Sequence, residues 1–352
     1  LIHNRRSIFY LSPIDWNSKL FQRPQHIMIN TAKSGFLSIY CTPNFHDNVS
    51  GFDFINENLI LSNICCSSYQ DIKNSVIIFP STSNYPSIEE IELLKNNGNI
   101  IVYDYIDELS PDISADVKFQ IKRHREISPK NVDYVCAVSL KLYNEMLKRF
   151  PEDRVIYLPN GVEFNHFNVE KDIKNIPEVM KGLIDRPIIG YFGALASWID
   201  YDLINYVAEN RPEWNIVLIG LDYDGSMKNL KDLSNIIYLG VINYKELPKY
   251  AVWFDVAIIP FREGEIAKTT SPIKMYEYMA LGKPVVFTKD LEECKLYKTP
   301  IMAESREDFV EKLELALSLS KDEDFVRKVK EEAKENDWSK RVEKLLKTLN
   351  LS

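Results

Sequence analysis

At 352 residues the chain exceeds the size at which one hydrophobic core keeps growing, so two domains of roughly 150 to 180 residues are expected. A hydrophobic content of 45% beside 27% charged residues describes an ordinary soluble globular protein, and no apolar run approaches the roughly 18 residues of a membrane span. A net charge of −8 argues against nucleic acid as a partner of the whole surface.

Residues 1–10 lack the apolar core of a signal peptide, which points to a cytoplasmic protein. Cys41, Cys65, Cys66, Cys136 and Cys294 are odd in number and lack metal-ligand spacing, so reduced and mostly buried thiols are expected. One local exception to the acidic balance is the run 114–130, SADVKFQIKRHREISPK, with five Lys/Arg against two Asp/Glu. Lys118, Lys122, Arg123 and Arg125 in this run suit an anionic membrane surface or a lipid-phosphate acceptor. A charge run is more often the solvated face of a helix.

In chain order, residues 7–13 read as a buried strand. The loop through Trp16 leads to Arg23-Pro24-Gln25-His26, where Pro24 opens a helix ending near Gly35, and 36–42 form the next strand. Further strands are expected at 59–61, 76–79, 100–105, 134–138 and 155–158, alternating with helical or loop segments such as 87–96 and 140–150. This alternation argues for a parallel sheet flanked by helices. Asn160-Gly161 is a turn signal, and the polar stretch 171–186 reads as a linker. A second α/β series follows, with strands at 187–192, 216–219, 236–239, 256–260 and 284–288 and helices at 200–210 and 245–250. Beyond Glu304 the chain is helical and highly charged, and Trp338 restarts an amphipathic helix through Val342, Leu345 and Leu346.

The stretch 268–288, KTTSPIKMYEYMALGKPVVFT, concentrates the chemistry. Ser271 is suited to cap a helix with Pro272 at its first position. Thr269, Thr270 and Ser271 then lie beside unpaired N–H groups and the positive end of the helix dipole, a favourable place for a phosphate. Glu277 follows about 7.5 Å along the axis at 1.5 Å per residue, on or near the edge of the face formed by Ile273, Tyr276, Ala280 and Leu281. A carboxylate bordering a core needs partners, and ribose hydroxyls are good donors to it, although the helix dipole or solvent would also stabilise it.

With these segments in place, the chain resembles the GT-B glycosyltransferases, and within them the bacterial surface-polysaccharide enzymes similar to family 4, including those of teichuronic-acid type. The resemblance covers nearly the whole chain. It rests on FQRPQH at 21–26, VDYVCAVS at 132–139, LPNGVEFNHF at 158–167, IIGYFGALASWID at 188–200 and SPIKMYEYMALGKPVV at 271–286, in the family's order. It implies two tandem Rossmann-like doubly wound α/β domains with an interdomain cleft: an acceptor-side domain at 1–170, a linker at 171–186 and a nucleotide-sugar domain at 187–336. A C-terminal crossover helix at 337–352 would return to the first domain.

Position by position, the resemblance makes Glu277 the ribose ligand, and Thr270 with Ser271 the loop that meets the diphosphate. Gly193 becomes the glycine at which backbone approaches the phosphates, where an ordinary turn is the alternative. Gly240 to Tyr244, including Val241 and Ile242, becomes the loop that pairs with the base, where a plain β-turn is the alternative. Two departures stand out. The family's acidic residue eight positions before the ribose-binding Glu is replaced by Thr269, with Glu263 and Glu265 upstream. The Arg/Lys pair for the leaving diphosphate is also not evident: Lys228, Lys231, Lys268 and Arg262 are nearby cations, and Lys274, at the helix start, is the preferred one.

Glycosyl transfer needs a neutralised diphosphate leaving group and, for inversion, a base at the acceptor hydroxyl. Asp104, Asp107 and Glu108 in VYDYIDEL, then Asp15, are the candidate bases, and turn formation or helix capping is the alternative role for each. No resident cofactor and no metal is expected. The implied function is transfer of a sugar from a nucleoside diphosphate, UDP by preference, to a cell-surface glycan or lipid-linked precursor, by a cytoplasmic protein peripheral to the membrane. A sugar-nucleotide 2-epimerase and a catalytically silent partner subunit remain alternatives.

Overall fold

A computed structural model describes residues 6–64, 71–114 and 116–351, so Cys65 and Cys66 lie outside the described residues. The chain divides into two compact units. One runs to Asn160 and resumes at Trp338; the other is Gly161–Asp337.

The first unit is built on β1 (Ser7–Leu11), β2 (Leu37–Cys41), β3 (Phe52–Asn56), β4 (Leu59–Ser62), β5 (Val76–Pro80), β6 (Ile100–Tyr105), β7 (Tyr134–Ala137) and β8 (Val155–Tyr157). Their order across the sheet is β3-β4-β2-β1-β5-β6-β7-β8. Every pairing is parallel except β3 with β4. Strands such as β5, VIIFP, are buried along their whole length, because helices cover both faces of a parallel sheet. Local chemistry sets the helix starts. Pro24 stands in the first turn of the helix Arg23–Lys33, and the Ser87 hydroxyl accepts from Glu90 N to open Ile88–Asn96.

The helix Trp338–Thr348 belongs to this first unit. Trp338 is fully buried. Its ring stacks on His26 at 5.0 Å and 11°, and the Arg23 guanidinium lies 5.9 Å from its centre. Val342, Leu345 and Leu346 bury the rest of the apolar stripe.

The second unit contains β9 (Ile188–Phe192), β10 (Asn215–Ile219), β11 (Ile236–Tyr238), β12 (Val256–Ile259), β13 (Val285–Thr288) and β14 (Ile301–Ala303). Their order is β11-β10-β9-β12-β13-β14, parallel throughout. This is the doubly wound arrangement, and the strand order reverses between β9 and β12. Such sheets bind ligands at the carboxyl ends of the strands flanking that reversal.

The chain passes between units at Asn160/Gly161 and Asp337/Trp338, which corrects the boundaries expected at 170 and 336 and the linker at 171–186. Val162, Phe167, Ile176 and Met180 are buried in the second unit's core; apolar side chains spaced through a polar stretch tie it down. Asn160-Gly161 makes no left-handed turn, since neither residue has positive φ. The Asn160 side chain instead accepts from Arg23 Nη1 at 3.1 Å.

Candidate functional site

The site assembles at the carboxyl ends of β9, β10 and β11, where three glycines let the backbones touch. Gly193 N donates to Ile219 O at 3.0 Å and Gly220 N to Gly240 O at 2.8 Å. Gly193, Gly220 and Gly240 have φ of +136°, +144° and +73°, backbone that L side chains rarely adopt. At Gly220 space forbids a side chain as well, because the neighbour is backbone, whereas at Gly193 the neighbour is the flexible end of a lysine. A Cβ on Gly220 would lie 1.8 Å from Gly193 O, and one on Gly193 would lie 2.7 Å from Lys274 Cε.

Over these strand ends runs the helix Ile273–Ala280. Tyr278 fastens it to β9, its hydroxyl oxygen accepting from Phe192 N at 2.7 Å. The cap differs from expectation. Pro272, with an extended ψ of 115°, is itself the N-cap, one residue later than the Ser271 cap read from the sequence. The Ser271 hydroxyl is instead 3.1 Å from the Tyr276 hydroxyl, which is 2.8 Å from that of Tyr297. Thr270 donates its hydroxyl proton to Ile266 O at 2.6 Å. Both hydroxyls expected to meet a diphosphate thus make contacts within the protein, and backbone N–H groups and charge are the remaining attractions for an anion at this end of the helix.

Glu277 is 5% exposed, and among the described residues no donor hydrogen-bonds its carboxylate. Burial pushes its pKa up to about 8, and the nearby Lys274 pulls it back only in part. The Lys274 ammonium sits 5.5 Å from the centre of the Tyr191 ring and 5.2 Å from that of Phe261, on the side where Gly193 lacks a Cβ. In the 240–244 loop, Val241 is exposed while Ile242 and Tyr244 pack against the core. The Tyr244 phenol is driven well above its usual pKa by burial, then by the charges of Glu277 and Glu163. The loop and Glu277 are therefore neighbours.

The structure thus brings together Glu277, Lys274, Gly193 and the 240–244 loop. Thr269 lies in a short helix, Glu265–Thr269, rather than in a loop; its hydroxyl donates to Glu265 O at 2.8 Å and the residue is buried. The acids named as its substitutes are exposed. Glu263 pairs with Lys289 at 2.8 Å and Glu265 with Lys268 at 3.5 Å. Lys231 pairs with Glu209 at 2.5 Å. Gly220 went unnoticed in the sequence, although a glycine directly after the apolar run NIVLI was a signal for it. Tyr278 and His166 were missed as well.

In the first unit, two candidate bases prove to be structural. Asp104 is fully buried. Its carboxylate accepts from Arg23 Nε and Nη2 at 2.9 Å each and from the Tyr10 hydroxyl at 2.8 Å. Asp15 is 5% exposed and accepts from Phe45 N at 3.0 Å, from His46 N and from the Thr42 hydroxyl, holding the loop after β2. Asp107 and Glu108 lie half-buried in the loop after β6. Arg123 also departs from expectation. It is 2% exposed and donates to the carbonyls of Pro80, Ser81 and Pro86, so it faces no membrane, whereas Lys118, Lys122 and Arg125 are exposed.

Residues 186–318, which contain this site, match the family of glycosyl transferases group 1. That match lies within the second unit, and the two parallel Rossmann-like sheets give the chain the GT-B fold. It is 26% identical over 258 residues to the Bacillus subtilis protein TuaH, assigned as a teichuronic acid biosynthesis glycosyltransferase; the match spans 68% of this chain and 64% of TuaH, just under two thirds of that relative. Two solved structures follow the fold almost end to end. Anabaena HepE, in complex with UDP and glucose, matches with a TM-score of 0.70 at 14% identity, over 98% of this chain and 100% of its own. Sucrose-phosphate synthase of Thermosynechococcus elongatus matches with a TM-score of 0.75 at 13% identity, over 98% of each chain.

Proposed function

We propose that the chain transfers a sugar from a UDP-sugar to a cell-surface glycan or its lipid-linked precursor. The observation that carries this reading is Glu277, a carboxylate enclosed in protein that accepts no hydrogen bond among the described residues. Ribose hydroxyls are the donors it lacks, and their approach favours its ionised form. Lys274, on the preceding turn of the helix, supplies positive charge where the diphosphate would lie against Gly193. Stabilising the departing diphosphate is the main catalytic demand. The 240–244 loop offers backbone groups to the base. Solved complexes of HepE with UDP and with UDP-glucose support the choice of nucleotide, and the likeness to TuaH supports a surface polymer as acceptor.

Asp107 and Glu108, half-buried in the loop after β6, are the candidate bases for an inverting outcome, and Lys118, Lys122 and Arg125 the candidate contacts to an anionic membrane. A thermal-shift screen of UDP-, GDP- and dTDP-sugars tests the donor, since a ligand of the native state raises its apparent stability. UDP-sugars should raise Tm in the native protein and not in Glu277→Ala. No shift with any nucleotide sugar, or an equal shift in the variant, would overturn the assignment.

A further inference from the structure

We propose that His166 is a positioning residue for the donor nucleotide, holding the 240–244 loop in its binding conformation through one imidazole-to-carbonyl hydrogen bond. This rests on the reading of that loop as the one that meets the base.

His166 Nε2 lies 3.0 Å from Tyr244 O. A carbonyl has no proton to give, so Nε2 is the donor. The ring is itself fixed by aromatic neighbours. It lies 4.8 Å from the Tyr244 ring at 30° and meets the fully buried Phe167 edge-on at 5.0 Å. Phe167 and Tyr244 are 5.6 Å apart.

The backbone carrying His166 is also anchored. Val162 N donates to Asn336 O at 3.1 Å and Phe164 N to Asp337 Oδ2 at 3.0 Å. At the other end of the loop, Gly240 O accepts from Gly220 N. The five residues 240–244 are therefore held at both ends, by a strand-end glycine and by an imidazole, while Val241 between them stays exposed. A loop ordered before the nucleotide arrives loses less conformational freedom on binding, which favours affinity more than turnover. Because Tyr244 also borders Glu277, release of this end of the loop would disturb the ribose side of the site as well.

Three variants of the full chain separate the bond from the ring. His166→Phe keeps an aromatic ring and removes the donor, His166→Gln keeps an N–H near the Nε2 position, and His166→Leu is a second donorless form. We would measure UDP affinity by calorimetry, donor KM and kcat, and the Tm of nucleotide-free protein. The Phe and Leu variants should bind UDP about tenfold more weakly, as expected for one lost hydrogen bond. KM should rise in proportion, kcat at saturating donor should change little, and Gln should recover most of the affinity. Wild-type-like UDP affinity in Phe and Leu would overturn the inference and leave the proposed function standing. Equal weakening in Gln would also overturn it, by showing that ring packing alone matters. A wild-type chain without affinity for UDP would remove the proposed function and this inference with it.

Discussion

Glu277 shows how burial changes the chemistry of an ordinary side chain. With its pKa raised from 4.5 to about 8, the folded chain keeps this proton over a range in which the unfolded chain has lost it. Stability therefore falls as pH rises through that window and levels off above it. Glu277→Gln has nothing to ionise. Melts of nucleotide-free protein should give the two chains similar Tm values at about pH 5, with Gln higher by several degrees at about pH 9. A gap that is the same at both pH values would refute this account. The place of Glu277 on its helix was legible in the spacing, but its seclusion was not, because the helices packed on its own, Phe164–Phe167 and Glu323–Glu335, are far away in sequence. The Ser271 cap failed for a related reason: Tyr276, whose hydroxyl also meets that of Tyr297, gives the Ser271 hydroxyl a side-chain partner that local capping rules do not include.

Elements are locked together most visibly at Arg23, in the helix Arg23–Lys33. Its guanidinium makes a bidentate pair with Asp104 on β6, donates to Leu158 O at 3.0 Å and lies over Trp338 of the last helix. Burial makes this pair costly to break singly, since removing one partner strands the other charge. Arg23→Met and Asp104→Leu should each lose about 3–5 kcal/mol, and Arg23→Met/Asp104→Leu much less than the sum. Urea denaturation curves for the three chains provide the check, and additive losses would show that the pair is not the lock. The same scale exposes what sequence patterns miss. Strand β3, FDFIN, is exposed at every position, so burial gives it no clear apolar alternation; its pairing with β4, broken near Ile55, is what makes it a strand.

At the scale of the whole molecule, the net charge of −8 and the exposed cations of the helix Val117–Glu126 pull in opposite directions. Any attraction to an anionic surface must therefore be local and salt-sensitive. Replacing Lys118, Lys122 and Arg125 with neutral residues should weaken sedimentation with anionic vesicles at low salt, whereas neutralising buried Arg123 should chiefly destabilise the fold. Unchanged vesicle binding by the triple variant would end the membrane reading.

Alternating apolar runs and caps sufficed to indicate two parallel α/β sheets, because period and propensity are local properties read directly from the chain. Motif order sufficed to single out Glu277 as the centre of the proposed nucleotide-sugar site. Tertiary structure decided the rest. Packing drew residues 161–186 into the second unit, since Phe167, Ile176 and Met180 find their core there. Long-range pairing turned Asp104, Asp15 and Arg123 from exposed chemistry into buried supports. Contact between strand ends required Gly220 beside Gly193, and His166 reached the Tyr244 carbonyl across 78 residues. Each of these depends on which distant groups meet in space, and that is settled by the fold as a whole.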